Sequence, residues 1–333
     1  MYEWLLGTGM SQSLANIIMG VLKSLIIIVF LAVSALILVL MERKVAGRIQ
    51  NRPGPNRLGP GGMFQTFADA IKLVSKEDVV PSGADKAVYI LAPLVIFAAS
   101  VALWVVIPFG PNLVVQDLNI GLIYLAAVTG INVLAFLMAG WSSNNKWSLI
   151  GSMRSAAQLV SYEIPLVLTL VAVGMMAGSL RLGDVVAAQQ GGIQNWFVFP
   201  QIIGFIVFVV AGMAEANRKP FDLPEGESEL VAGYNTEYSG FRWAVFFLAE
   251  YANLIVFSAL ATTFFLGGPS GPLLPPIVWF FIKTYAVIFV TMWIGWTLPR
   301  IRIDHLMNLG WYVLIPLALI NLGWTGLYVL WRG

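Results

Sequence analysis

Residues 215–242 have the sequence EANRKPFDLPEGESELVAGYNTEYSGFR and separate two apolar runs, 197–214 and 243–266. The stretch contains six carboxylates, and four of them lie between Asp222 and Glu229. Unpaired charge is costly beside a hydrocarbon layer, so a simple connector between two membrane helices would not need this many acidic side chains. The contrast predicts a membrane protein whose loop 215–242 has a function.

The rest of the chain has the composition of a membrane protein. Of its 333 residues, 59% are hydrophobic and 11% are charged, whereas soluble domains carry about 25% charged residues. The polar start shows no basic region or cleavage site, so the first apolar run is predicted to be a retained helix. Eight runs are long enough to cross roughly 30 Å of hydrocarbon: 20–41, 87–107, 119–141, 156–178, 197–214, 243–266, 276–298 and 309–331.

These runs predict an all-α polytopic membrane protein with eight transmembrane helices in one domain, 1–333. Fifteen Lys and Arg residues fall in the loops on one side and three on the other. Because positively charged loops stay in the cytoplasm, both termini are expected on the outer side. The net charge of +2 is therefore an orientation signal and gives no reason to expect nucleic-acid binding.

The first basic loop, 42–86, has two parts. Pro and Gly end any regular helix near Gln50, and residues 64–76 then return to a helical period with Phe64, Phe67, Ile71 and Val74 on one face. This pattern predicts an amphipathic helix at the cytoplasmic membrane interface. The loop is interpreted either as a basic segment held on lipid headgroups or as the wall of a cavity or docking surface.

Ionisable residues inside the predicted spans mark candidate functional positions. Glu163, Glu215 and Glu250 approach from the cytoplasmic half, and Lys283 lies near the outer end of its span. Such groups cost roughly 2.5–3.5 kcal/mol each on insertion scales, so a proton-conducting path is favoured over isolated buried hydrogen bonds. The chain has no Cys and one His, which excludes a cysteine-ligated cluster in this chain and argues against a His-ligated metal.

Four segments of this sequence closely resemble the H subunit of respiratory complex I, the proton-pumping NADH:quinone oxidoreductase. They are ERKVAGRIQNRPGPNRLGP (42–60), FADAIKLVSKE (67–77), EANRKPFDLPEGESELVAGYNTEYSG (215–240) and LPRIRID (298–304). The resemblance runs over essentially the full length. It implies a membrane-arm subunit that is not catalytic alone, forms much of the quinone chamber, and couples quinone reduction to proton translocation.

The resemblance also implies roles for particular residues. The quinone chamber would be lined or approached by Glu42, Arg43, Arg48, Arg52, Arg57, Phe64, Phe67, Asp69, Lys72, Phe221, Arg300 and Arg302. The proton path would include Glu163, Glu215, Asp222, Glu225, Glu227, Glu229, Glu250 and Lys283. Quinone would be a substrate, and the iron–sulfur clusters and flavin would be held by partner subunits.

The expected partners are the cluster-bearing and 49-kDa-type subunits of the peripheral arm, small membrane subunits next to the antiporter-like ones, quinone and membrane lipid. The expected location is a prokaryotic plasma membrane, with the mitochondrial inner membrane as the alternative. Three other functions stay open: the equivalent subunit of a complex with a different electron donor or of a membrane-bound hydrogenase, a stand-alone secondary transporter, and a passive anchor. The absence of paired broken helices argues against a transporter.

Overall fold

A computed structural model of the chain describes residues 11–110, 113–224 and 226–332. In these ranges the chain folds into helices, with an isolated bridge between Gly110 and Leu113 and no strand. The α-helices are α1 (Gln12–Ile49), α2 (Gln65–Ser75), α3 (Lys86–Leu103), α4 (Gly121–Ser142), α5 (Lys146–Ala177), α6 (Leu182–Ala188), α7 (Ile202–Glu215), α8 (Glu227–Leu230), α9 (Gly240–Phe265), α10 (Pro276–Thr297), α11 (Ile303–Asn308) and α12 (Ile315–Arg332).

Seven segments of the described chain are long and apolar enough to cross a membrane: α1, α3, α4, α5, α9, α10 and the continuous helix 303–332. The predicted all-α polytopic fold is confirmed. The predicted run 197–214 corresponds to α7, which has 14 residues and is therefore about 21 Å long. This helix is shorter than a hydrocarbon layer of about 30 Å.

The short helix α7 receives polar partners at both ends from neighbouring helices. At its start, the Gly204 N–H donates to Asn321 Oδ1 over 3.0 Å. At its end, Gln158 Nε2 donates to the Ala214 carbonyl over 2.7 Å. Helix ends leave N–H and C=O groups unsatisfied, and no water is available in hydrocarbon to satisfy them. These side chains therefore allow a short helix to end inside the bundle.

The first basic loop has the two parts predicted from its composition. Helix α1 ends at Ile49, before the Pro- and Gly-rich segment, and α2 follows as the amphipathic helix. Helix α2 packs against α1 and α9, while Phe64, Phe67, Ile71 and Val74 are exposed. The apolar face of α2 thus points away from the bundle, as the interfacial prediction requires.

The last membrane helix contains a widened π-type turn at Leu309–Leu314. Pro316 lies two residues after this turn, and its missing N–H removes a bond that a regular helix would make to the Tyr312 carbonyl. In the widened turn, Trp311 Nε1 donates to Ser161 Oγ over 3.2 Å. This contact fixes the segment of α5 that carries Glu163.

Candidate functional site

A cavity of about 790 Å³ opens between the ends of α1, α9 and α10 and the loop that follows α7. The cavity has apolar lining residues, among them Phe247, Leu254 and Met292, together with charged ones. The charged lining residues are Glu42, Arg218, Lys219, Asp222, Glu250 and Arg300. The structure thus brings together four predicted site residues that are far apart in sequence: Glu42, Asp222, Glu250 and Arg300.

Arg218 lies at the centre of the charged lining residues. Its Nη1 lies 3.1 Å from Glu42 Oε2 and its Nη2 lies 3.4 Å from Glu250 Oε1. The Tyr251 hydroxyl donates to the same Glu42 oxygen over 2.6 Å, and the guanidinium carbon lies 4.1 Å from the centre of the Tyr251 ring. Only 12% of the Arg218 side chain is exposed. One buried cation therefore neutralises two carboxylates from separate helices.

The loop geometry explains how Arg218 reaches this position. Helix α7 ends at Glu215, and Asn217 takes a positive φ of 51° that turns the chain, a conformation Asn tolerates better than most residues. The Arg218 N–H then closes the helix end by donating to the Met213 carbonyl over 3.0 Å. On the other side of the loop, a Cβ on Gly295 would lie 2.8 Å from the Lys219 carbonyl, so only Gly allows α10 to pack this closely.

A second acidic group lies deeper in the bundle, behind the cavity. Glu163 on α5 lies close to Gly130 on α4. A Cβ added to Gly130 would be only 3.3 Å from Glu163 Oε1. The hydroxyl of Thr129 is within hydrogen-bonding reach of Glu163. Glu215 is near enough for its charge to interact with that of Glu163. Between this pair and the cavity, Gln158 Nε2 contacts Asn217 Oδ1 at 3.2 Å.

The acidic loop is anchored to α5 at one point by an ion pair between Arg154 and Glu229. The hydrogen bond from Arg154 holds the pKa of the Glu229 carboxyl below its usual range. Asp222 lines the cavity. Glu225 lies outside the described residues, and the side chain of Glu227 is not described either.

Apart from Glu42, the predicted residues of the first loop are not among the lining residues of the cavity. Arg43 forms an ion pair with Asp69, which joins the end of α1 to α2. Arg52 Nε donates to Gln50 Oε1 over 2.7 Å. Arg302 likewise pairs with a neighbour, Asp304, at 2.9 Å. The remaining predicted residues of this loop are exposed on the same end of the bundle: Arg48, Arg57, Phe64, Phe67 and Lys72.

Two further predicted residues have different surroundings. Phe221 is buried, and its ring centre lies 5.7 Å from that of Tyr162 on α5. Lys283 is also buried, but it donates to three backbone carbonyls, those of Leu266, Gly268 and Ser270, at 2.6–3.0 Å. It lies eight residues before Thr291 in α10, about 12 Å from the cavity along the helix axis. Lys283 therefore belongs to the opposite end of the bundle.

Comparison of the sequence with known proteins shows which family the chain belongs to. Residues 22–326 match the family described as NADH dehydrogenase. The chain is 51% identical over 301 residues to the H subunit of the NADH-quinone oxidoreductase of Dehalococcoides mccartyi, covering 90% of this chain and 84% of that one. It is 49% identical over 322 residues to the H subunit numbered 2 of the NADH-quinone oxidoreductase of Geobacter sulfurreducens, or 93% and 97% of the two chains.

The chain belongs to the H-subunit family of NADH-quinone oxidoreductase. It is thus a multi-pass membrane subunit of complex I, part of an oxidoreductase and not catalytic alone. Among the residues of this complex I subunit that the structure describes, no group of three or more His, Asp or Glu side chains is arranged to hold a metal ion.

Sequence reasoning about this complex I subunit missed three residues that shape the cavity: Arg218, Tyr251 and Trp296. The sequence shows Arg218 only as one of many positive loop charges, although it lies three residues after Glu215 and two before Pro220. Tyr251 directly follows Glu250, which was a usable signal. Trp296 lies under Lys219, whose Nζ is 4.2 Å from the ring centre, and nothing local in the sequence indicates this pair.

Proposed function

We propose that this chain binds the quinone headgroup in the cavity between α1, α9 and α10 and moves protons between that cavity and the interior of the bundle. The observation that carries the proposal is the Glu42–Arg218–Glu250 cluster in a cavity that is also lined by the apolar side chains of Phe247, Leu254 and Met292. A quinone has an apolar body and two polar carbonyl oxygens, so it needs a cavity lined by both apolar and polar groups.

The described groups can bind and orient such a ligand. Arg218 Nε and Arg300 Nη2 are buried without hydrogen-bond partners among the described residues. Buried donors without partners are costly, and a ligand carbonyl or an ordered water would satisfy them. Reduction of a quinone consumes two electrons and two protons. The electrons would come from partner subunits, and the groups of this chain would hold and transfer protons.

The proposed proton route runs from the cavity to the deeper acidic pair. Asn217 lines the cavity and contacts Gln158, and the loop leads back from there to Glu215 and Glu163. Several carboxylates around one arginine titrate as a coupled set, so a change in the charge of the ligand would alter their protonation together. Lys283 is not part of this route, because its ammonium is held by backbone carbonyls at the other end of the bundle.

The exposed basic loop completes the proposal at the surface. Arg48, Arg52 and Arg57 lie on the same end of the molecule as the cavity, beside the apolar face of α2. This combination suits contact with anionic headgroups and with a peripheral-arm subunit that brings electrons to the quinone. The bacterial sources of the relatives support a plasma membrane of a prokaryote as the location.

Substitution of Arg218 in the assembled complex tests the proposal. Arg218→Met leaves Glu42 and Glu250 without their shared cation, so quinone reductase activity should fall about 10- to 100-fold, as for the loss of a preorganised charged donor. Arg218→Lys keeps the charge without the planar fork and should retain part of the rate.

The matched control is Arg181→Met, which removes an exposed ion pair with Asp117 at the other end of the bundle. Subunit content of the purified complex is measured beside the quinone reductase rate and the KM for quinone. An Arg218→Met complex that contains all subunits and keeps the parental rate and KM would refute the role of the cavity.

A further inference from the structure

The loop between α9 and α10 presents a leucine in an unusual backbone conformation. Leu273 has a φ of +68° and is fully exposed. The Leu274 N–H donates to the Pro272 carbonyl over 2.8 Å, which closes a three-residue γ-turn around Leu273. The form of this turn with a positive central φ is rare and strained for a residue with a side chain. Strain of this kind persists only where surrounding contacts enforce it.

Three side chains enforce the conformation of this loop. The Lys283 ammonium binds three of its carbonyls, the last of them at Ser270, and lies 4.2 Å from the centre of the Trp196 ring. Trp279 Nε1 donates to the Pro272 carbonyl over 2.7 Å. Gln189 Oε1 accepts from the Gly267 N–H over 3.0 Å. These contacts hold the loop in one conformation, at the end of the bundle opposite the cavity.

A groove of about 520 Å³ adjoins this leucine. It is formed by the loop before α7, including Gly191, Ile193 and Trp196, and by the loop that carries Pro269 and Pro272. Residues 185–201 and 266–282 contain no charged residue. The surface therefore combines a projecting apolar side chain with a recess beside it whose lining residues carry no charge.

We infer that Leu273 and the adjoining groove form a docking surface for another membrane subunit of the complex, which receives Leu273 in an apolar pocket. Burial of this side chain against protein would remove a fully exposed leucine from a polar boundary. The lack of charge on the surface matches an uncharged, apolar partner. Membership in a multi-subunit complex supplies such partners.

The rigidity of the loop favours a protein over lipid as the occupant. Lipid tails accommodate an apolar side chain in any orientation, so insertion into lipid gives no reason to hold Leu273 in a strained turn. A shaped protein pocket rewards preorganisation, because less conformational freedom is lost on binding. The contacts of Lys283, Trp279 and Gln189 supply this preorganisation.

Site-specific photocrosslinking in the assembled complex tests the inference. A benzophenone side chain placed at Leu273 should give one discrete product that contains a second subunit. The same probe at Leu330, an exposed leucine of α12, is the control for random contact with lipid and neighbouring chains. Products at position 273 that contain only lipid, or no product at all, would overturn the inference.

Leu273→Gly supplies an independent measurement. Glycine adopts a positive φ without strain, so this variant removes the side chain and leaves the turn intact. The amount of detergent-resistant association between this chain and the crosslinked subunit should fall about tenfold or more. Unchanged association in Leu273→Gly, with the loop intact, would likewise overturn the inference.

Discussion

At the scale of single residues, buried charge marks the candidate site. Arg218 is held between Glu42 and Glu250, which come from α1 and α9. Removing one partner of a buried charged group costs about 3–5 kcal/mol, because the remaining charge has no water to solvate it. The depth of Glu250 in an apolar run predicts that carboxylate, and the family resemblance predicts Glu42. Neither predicts the arginine, since its burial depends on how its loop folds back over the bundle.

Glu163 is the residue whose substitution separates proton transfer from folding. Glu163→Gln keeps the size and hydrogen-bonding ability of the side chain but cannot release a proton near neutral pH. The complex should assemble and lose most of its coupled proton translocation. The measurement is proton uptake per quinone reduced in reconstituted vesicles.

A suitable control for this substitution is Asp304→Asn, which changes an exposed carboxylate that forms an ion pair with Arg302, two residues before it. Its pumping and quinone reductase rates should equal those of the parent. Parental rates in Glu163→Gln as well would remove Glu163 from the proposed proton route.

At the scale of elements, glycine contacts hold the acidic loop against α5. A Cβ on Gly151 would lie 2.7 Å from Gly233 Cα and 2.8 Å from the Tyr234 nitrogen. Gly151→Ala should therefore force the loop and α5 apart and destabilise the chain by about 1–3 kcal/mol. The temperature at which the purified complex loses quinone reductase activity should fall.

Gly20 provides the comparison for this prediction, because nothing lies within 4 Å of a Cβ placed there. Gly20→Ala in α1 should leave the inactivation temperature unchanged or slightly raised, since Ala favours helix by about 0.5–1 kcal/mol over Gly. Equal inactivation temperatures for the two variants would show that the close contact at Gly151 contributes nothing.

The acidic loop should also loosen from α5 at low pH. The hydrogen bond from Arg154 lowers the pKa of Glu229 in the folded state, so this contact is fully present above the ordinary Glu pKa of about 4.3. It is lost as the pH falls through the lowered value, when protonation removes the charge. Hydrogen exchange of amides 229–232, corrected for the intrinsic effect of pH, should accelerate below about pH 4.

Glu229→Gln distinguishes this contact from general acid unfolding. The variant should show faster exchange in the same segment at neutral pH and little further change on acidification. Exchange that accelerates equally in parent and variant between neutral and low pH would mean that Glu229 is not the group responsible.

At the scale of the whole molecule, the two ends of the bundle differ in charge. The cavity, Arg43 and Arg300 lie at one end, and the uncharged surface around Leu273 lies at the other. Because positive loops stay in the cytoplasm, we predict that the cavity end faces the cytoplasm. The chain contains no cysteine, so a single introduced thiol can report the side on which it lies.

Ala187→Cys, at an exposed position of α6, should react with a membrane-impermeant maleimide in intact cells, whereas Ser82→Cys should react only after the membrane is opened. Both positions are exposed in the structure. Labelling of the denatured chains shows that both thiols are reactive. The opposite pattern would reverse the proposed orientation and move the cavity to the outer face.

The all-α membrane fold, the turn-rich break after α1 and the amphipathic helix α2 can all be predicted from the sequence, because apolar runs and helical periodicity are local properties. The buried carboxylates can also be predicted from the sequence, since a charged residue within an apolar run is easily recognised. The folded structure is needed to see which of these carboxylates share a cation and which contacts let α7 be short. Those outcomes depend on contacts between residues far apart in the chain, such as Arg218 with Glu42 and Asn321 with Gly204. Such pairings follow from helix packing, which no local pattern specifies.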